Sequence, residues 1–141
     1  IRSKWKGTLV LKGVASEYDA EVAREVGMDG IIISNHGGRQ LDNGESTIHT
    51  LERLAKKYQS HYTVMMDSGV RTGADVAVSM ATGAQFTFMG RTFMYGVGAL
   101  GKKGGSFTIQ MLKKQLQQVM EQVGAPSVKE LPQFLLRKNI G

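Results

Sequence analysis

Apolar residues in this chain fall into short unbroken runs, each ending in glycine and polar side chains, and between the runs they recur at the spacing of a helix face. Gly30-Ile31-Ile32-Ile33 is the clearest run. It is too short for a helix, and a continuous β-branched stretch predicts a strand buried on both faces, as in a parallel sheet. Thr8–Lys12, Tyr62–Met66 and Gln85–Met89 predict three further strands of the same kind.

The intervening segments predict helices. Ser16 with Asp19 three residues on reads as a helix start, with Ala20, Val22, Ala23 and Val26 as its inner stripe and Gly27 as its end. A second helix spans about Ser46 to Tyr58 with Ile48, Leu51, Leu54 and Ala55 inward, and a third runs from Ala74 to Thr82 and closes on Gly83. Gly96 to Gly105 holds five of the eighteen glycines and reads as a helix end and turn. Ser106 to Val123 predicts a long amphipathic helix with Phe107, Ile109, Met111, Leu112, Leu116, Val119, Met120 and Val123 on its apolar face. Pro126 and Pro132 bracket a short closing segment whose last residues are expected to be mobile.

Strands alternating with helices at this spacing require parallel strands joined by right-handed crossovers, hence an α/β fold. Four such units are half of an eightfold barrel, and four strands cannot close one. Either the other half lies elsewhere or the sheet stays open.

At 141 residues and 41% hydrophobic content, the chain suits one soluble globular unit with a single modest core. It begins at Ile1 and reads as a piece of something longer, with no signal-peptide pattern. No apolar run approaches the ~20 residues of a membrane span, although peripheral attachment stays open. The absence of cysteine excludes disulfides and thiol catalysis and fits a reducing compartment. The net charge of +6 is dispersed along the chain and accompanies no nucleic-acid recognition module, so it points to a solvated basic surface or an anionic ligand rather than to nucleic acid.

Candidate chemistry gathers at the ends of the predicted strands: Lys12, then Ser34, His36 and Arg39, then Asp67 and Arg71, then Gly90 and Arg91. In parallel barrels and open sheets these ends carry the ligand site. Gly69-Val70-Arg71 and Gly90-Arg91 suit a phosphate, held by backbone amides, a helix N-terminus and arginine forks. The plainer reading is turn glycines with surface arginines. His36 and Arg39 suit a base and an anion clamp, since an imidazole accepts a proton near neutrality and a guanidinium grips a carboxylate through two hydrogen bonds. Their plain alternatives are a capping histidine and a solvated arginine. Lys12 in such a rim places a positive charge beside a group gaining negative charge, or acts as a Schiff-base lysine. Ser34 reads as a hydroxyl that satisfies backbone groups, and Met65 and Met66 as core filler. His49 and His61 lack the carboxylates that would make a metal site.

Leu11-Lys12-Gly13, Ser34-Asn35-His36-Gly37-Gly38-Arg39-Gln40-Leu41, Asp67-Ser68-Gly69-Val70-Arg71-Thr72-Gly73 and Gly90-Arg91 occur in an order and spacing that resembles the FMN-dependent α-hydroxy acid oxidases and dehydrogenases, the family of glycolate oxidase, lactate oxidase and mandelate dehydrogenase. The resemblance covers nearly the whole chain. It implies a TIM (β/α)8 barrel in which residues 1–141 supply the C-terminal half, the last four β/α units and the C-terminal helix. It further implies oxidation of a small L-2-hydroxy acid to the 2-keto acid with FMN as electron acceptor. His36 would be the base, Arg39 would hold the substrate carboxylate, and Lys12 would stabilise the anionic reduced flavin, with Ser34 contacting the cofactor nearby. Asp67, Ser68, Gly69, Val70, Arg71, Gly90 and Arg91 would bind the ribityl chain and phosphate. The partners expected are the N-terminal half of the same barrel and further copies in a homo-oligomer, a tetramer, in the cytoplasm or at the periphery of the inner membrane. The family's substrate-facing tyrosines, second arginine and histidine-orienting aspartate have no counterpart in these residues. The alternative is a half-barrel fragment that keeps a phosphate or FMN site without turnover.

Overall fold

In the computed structural model, which describes residues 1–135, the apolar runs form one wholly parallel sheet. Its strands are β1 (Val10–Val14), β2 (Gly30–Ile33), β3 (Thr63–Met66) and β4 (Phe86–Thr87), in spatial order β1-β2-β3-β4. Between and after them come α1 (Glu17–Glu25), α2 (Thr47–Tyr58), α3 (Gly73–Thr82), α4 (Arg91–Leu100) and α5 (Gly104–Val123). Short 3-10 turns cover His36–Gly38, Gly101–Lys103 and Val128–Phe134. Register is fixed by pairs such as Val10 with Gly30, Ile31 with Val64 and Met65 with Phe86.

The main core lies between the sheet and the first two helices, where Ile31, Ile33, Val64, Leu51 and Leu54 are fully buried with Ala20 and Ala23. Side chains of this kind each gain ~1.5–3 kcal/mol on burial, which makes the strand order robust. A second, smaller cluster joins α3, α5 and the closing turn through Ala77, Leu116, Ala125 and Leu131. The helix starts follow from their caps. Ser16 Oγ accepts the Asp19 amide at 3.1 Å, and Thr72 and Asp75 form a reciprocal capping box at the start of α3. Gly83, at φ 118°, ends α3 in the left-handed conformation.

The structure corrects several sequence expectations. The first strand starts two residues later than predicted, so Lys12 sits mid-strand rather than at the tip. Gly13, at φ 97°, breaks the pairing with β2 between Lys12 and Val14, a bulge beside the site. Val26 is exposed because α1 stops at Glu25 and leaves Val26 as its cap. The fourth strand holds only two residues, although the Phe88 amide still bonds the Met66 carbonyl at 2.9 Å.

Most of Gly96–Gly105 proves helical. Helix α4 runs through Gly96 and Gly98, and α5 begins at Gly104. Glycine lowers helix propensity, but here it permits contact between helices: a methyl group on Gly104 would lie 2.2 Å from the Gly96 carbonyl oxygen. Phe107 and Ile109, expected on the inner face of α5, are half exposed. Pro132 lies within the turn Val128–Phe134. The last residues, expected to be mobile, fall outside the described residues. Among the described residues no helix is long and apolar enough to cross a membrane.

Candidate active site

The C-terminal ends of the four strands surround one concavity of about 430 Å³. Lys12, His36, Arg39, Asp67, Ser68, Gly69, Val70, Arg71, Gly90 and Arg91 all line it, so the structure brings together every predicted site residue except Ser34. Ser34 lies directly behind, buried, with its hydroxyl 2.9 Å from Lys12 Nζ. Phe88, Met89 and Met94 give the concavity an apolar wall that the sequence reading did not assign to it.

Strand β2 ends on Ile33, and the chain turns at once. Asn35 Oδ1 accepts the amides of Gly37 and Gly38 at 3.1 and 3.2 Å, an Asx-type turn that swings His36 over the sheet. His36 itself adopts φ 57°, unusual for a residue with a side chain. Behind it, a methyl group on Gly13 would stand 3.0 Å from His36 Cε1, so the bulge in β1 leaves just enough room for the imidazole. Sequence reasoning gave Gly13 and Asn35 no role. The available signals were a glycine inside an apolar strand and an Asn before Gly-Gly.

Lys12 Nζ pairs with Asp67 Oδ2 at 2.8 Å. Burial pushes the Asp67 carboxyl up, but bonds from Lys12, Ser34 and Ser68 and the lysine's charge outweigh it and hold Asp67 below the usual carboxylate range. Asp67 is therefore a carboxylate near neutrality, and Lys12 keeps a fixed counter-charge facing the concavity.

After β3, Ser68 and Gly69 take left-handed φ values of 72° and 81°, turning the chain so that Arg71 reaches the rim. Asp75 accepts the Arg71 and Thr72 amides at 3.0 and 2.8 Å; these bonds outweigh burial and keep it ionised. Thr92 Oγ1 donates to the Arg71 carbonyl at 3.0 Å and ties this turn to the start of α4. No side chain caps α4, and a methyl group on Gly90 would meet nothing within 4 Å, so there is open space beside the start of this helix. Arg91 donates to the Gly37 carbonyl, linking that helix start to the His36 turn.

Four cationic side chains, Lys12, Arg39, Arg71 and Arg91, thus line the concavity with a single carboxylate, Asp67, which Lys12 pairs directly. That balance, with a free helix N-terminus between two arginines, fits a phosphate-bearing ligand and a carboxylate side by side. Among the described residues no three His, Asp or Glu side chains gather as metal ligands.

Parallel β/α units with basic, hydroxyl and imidazole groups at their strand ends define an α/β protein with a basic site at one end of its sheet. The comparisons give that class a family: the family described as FMN-dependent dehydrogenase matches residues 1–138, and the chain belongs to it. It is 39% identical over 138 residues to an L-lactate dehydrogenase of Caulobacter sp. (strain K31), covering 98% of this chain and 36% of that protein. A putative L-lactate dehydrogenase of Mycobacterium tuberculosis is 37% identical over 131 residues, 93% of this chain and 32% of that protein. Among solved structures, an active mutant of (S)-mandelate dehydrogenase superposes with a TM-score of 0.90 at 36% identity, covering 97% of this chain and 38% of the other. A mandelate oxidase mutant with (S)-mandelic acid gives 0.87 at 33% identity, over 92% and 39%. The chain therefore spans little more than a third of the length of these relatives, and its four-stranded parallel sheet resembles part of their fold.

Proposed function

We propose that this chain supplies the last four β/α units of a (β/α)8 barrel that oxidises a small L-2-hydroxy acid to the 2-keto acid with FMN. The observation that carries the reading is the single concavity in which His36 and Arg39 face Arg71, Arg91 and the free N-terminus of α4. Arg71, Arg91 and the amides beginning at Arg91 would hold the FMN phosphate, with Gly69 and Gly90 leaving space for it. When bound, FMN supplies a two-electron acceptor. Lys12, fixed by Asp67 and Ser34, holds positive charge where negative charge would grow on the cofactor side. Arg39 grips the substrate carboxylate through two parallel hydrogen bonds and so sets which end of the hydroxy acid faces His36. His36 accepts the proton released on oxidation. Phe88, Met89 and Met94 line the apolar side of the same concavity.

Among the described residues the outer edges of β1 and β4 are unpaired, and Val10, Leu11 and Phe86 on these strands are exposed. That supports an N-terminal half-barrel as the partner, and it also favours the second reading, a half-barrel that keeps the phosphate site without turnover. Anaerobic absorbance of the FMN-loaded protein separates the two. Bleaching of the flavin band by L-lactate, glycolate or mandelate is the expected result. Bound flavin that no 2-hydroxy acid bleaches would establish the second reading, and failure to bind FMN would refute both.

A further inference from the structure

Among the described residues, only two that carry side chains have left-handed φ: His36 at 57° and Ser68 at 72°. Such a conformation costs ~1–3 kcal/mol and persists where surrounding contacts enforce it, often at a functional site. These two are 32 residues apart in sequence yet joined in space, because the Gly37 amide donates to Ser68 Oγ at 3.0 Å.

The bond belongs to a closed ring. The His36 amide donates to Ser34 Oγ at 3.1 Å, and Lys12 Nζ donates to the same oxygen at 2.9 Å. Lys12 also pairs with Asp67 Oδ2 at 2.8 Å, while Ser68 Oγ donates to Asp67 Oδ1 at 2.8 Å. Ser68 then accepts the Gly37 amide, so the ring begins and ends on consecutive amides of the His36 turn. Ser68 is its closing link: its hydroxyl bonds the Asp67 carboxylate and accepts from the turn at Gly37, as Ser34 does at His36. Its own peptide is held from α2, where Thr47 Oγ1 donates to the Ser68 carbonyl at 3.0 Å.

The geometry points to Ser68 as a positioning residue, whose hydroxyl locks the His36 turn to the Lys12–Asp67 pair so that the imidazole and the ammonium keep one relative placement. A backbone at φ 72° suits glycine better than serine. Serine at this position is therefore explained by its hydroxyl, not by the fold of the turn. The role in the reaction rests on the function proposed above; the ring itself does not.

Ser68→Gly and Ser68→Ala test this in the flavin-loaded protein, since both lose the hydroxyl but only alanine keeps the strained backbone. In both variants the Gly37 amide is expected to exchange with solvent roughly tenfold faster by NMR, as loss of one hydrogen bond implies. Ser68→Gly is expected to melt no lower than Ser68→Ala, while kcat falls about tenfold in each and KM moves less than about threefold, because Arg39 lies outside the ring. A purely structural serine would instead lower the melting temperature and leave kcat alone, which overturns the proposal. Gly37 exchange unchanged in both variants, or faster in the glycine variant alone, would also overturn it. If the unaltered protein oxidises no 2-hydroxy acid, the functional reading fails, and the exchange measurement still decides whether the ring exists.

Discussion

Gly13 sits where the backbone and the imidazole compete for the same space, so Gly13→Ala perturbs both in a calculable way. At φ 97° an alanine is strained by ~1–2 kcal/mol relative to glycine. For a domain of this size that lowers the melting temperature by roughly 3–8 °C. The new methyl group would also stand 3.0 Å from His36 Cε1, with Nε2 and Nδ1 at 3.9 and 4.0 Å. Contact that close moves the ring rather than the strand, because the pairs Lys12 with Ile32 and Val14 with Ile33 hold β1 on both sides of Gly13 while His36 is exposed. A displacement of about 1 Å at a reacting group can lower a rate ~100-fold, so kcat should fall ~10- to 100-fold. FMN affinity should stay within about twofold, since Arg71, Gly90 and Arg91 belong to other strand ends. Differential scanning calorimetry, flavin fluorescence titration and saturating-substrate kinetics read the three quantities. A lower melting temperature with kcat unchanged would refute the close approach of Gly13 to His36.

Glu45 anchors the far end of the His36 loop: Arg53 grips it with two bonds, Thr50 adds a third, and its carboxyl is held down at about 2. A lowered folded pKa contributes stability above the unfolded value, near 4.5, that is lost as pH falls toward about 2. Because the pair is more than a third exposed, that contribution is ~1 kcal/mol at most. The urea midpoint of Glu45→Gln should therefore lie below that of the parent at pH 7, and the two should draw together below pH 4.5 and converge only as pH falls to about 2. Gly104→Ala drives a methyl group to 2.2 Å from the Gly96 carbonyl oxygen and should destabilise by ~1–3 kcal/mol, whereas neighbouring Gly105→Ala meets nothing within 4 Å and should be neutral or stabilising. Thermal melts of the pair decide whether α4 and α5 pack through glycine. Arg39→Lys should raise KM for the hydroxy acid about tenfold or more with FMN affinity unchanged, because an ammonium cannot reproduce a two-pronged clamp.

Much of this organisation was legible in the residues. The unbroken Ile31-Ile32-Ile33 run announced a strand, and it is the strand that delivers His36, with Ile31 and Ile33 fully buried on one face and Ile32 only partly buried on the other. Ser16 and Gly83 marked helix ends that the structure keeps, because capping is a local property of the chain, whereas the Thr72–Asp75 capping box at the start of α3 was not singled out. Helix α4 was hidden because Gly96 and Gly98 weaken its propensity; only its packing on α5 explains them. Lys12 was placed at a strand tip because the bulge at Gly13 depends on pairing with β2, a contact invisible in a single segment. The ring through Ser34, Lys12, Asp67 and Ser68 joins the middle of β1 to the ends of β2 and β3, so no local pattern could reveal it.

The account turns on one concavity serving both flavin binding and proton transfer at His36. Anaerobic stopped-flow reduction of the FMN-loaded protein by a 2-hydroxy acid, with and without His36→Gln, tests that most directly. The account predicts that the variant binds FMN as the parent does and is reduced about a hundredfold more slowly or worse, as removal of a general base implies. Equal reduction rates in the two proteins would contradict it, because His36 would then take no part in the chemistry its strand was read as positioning.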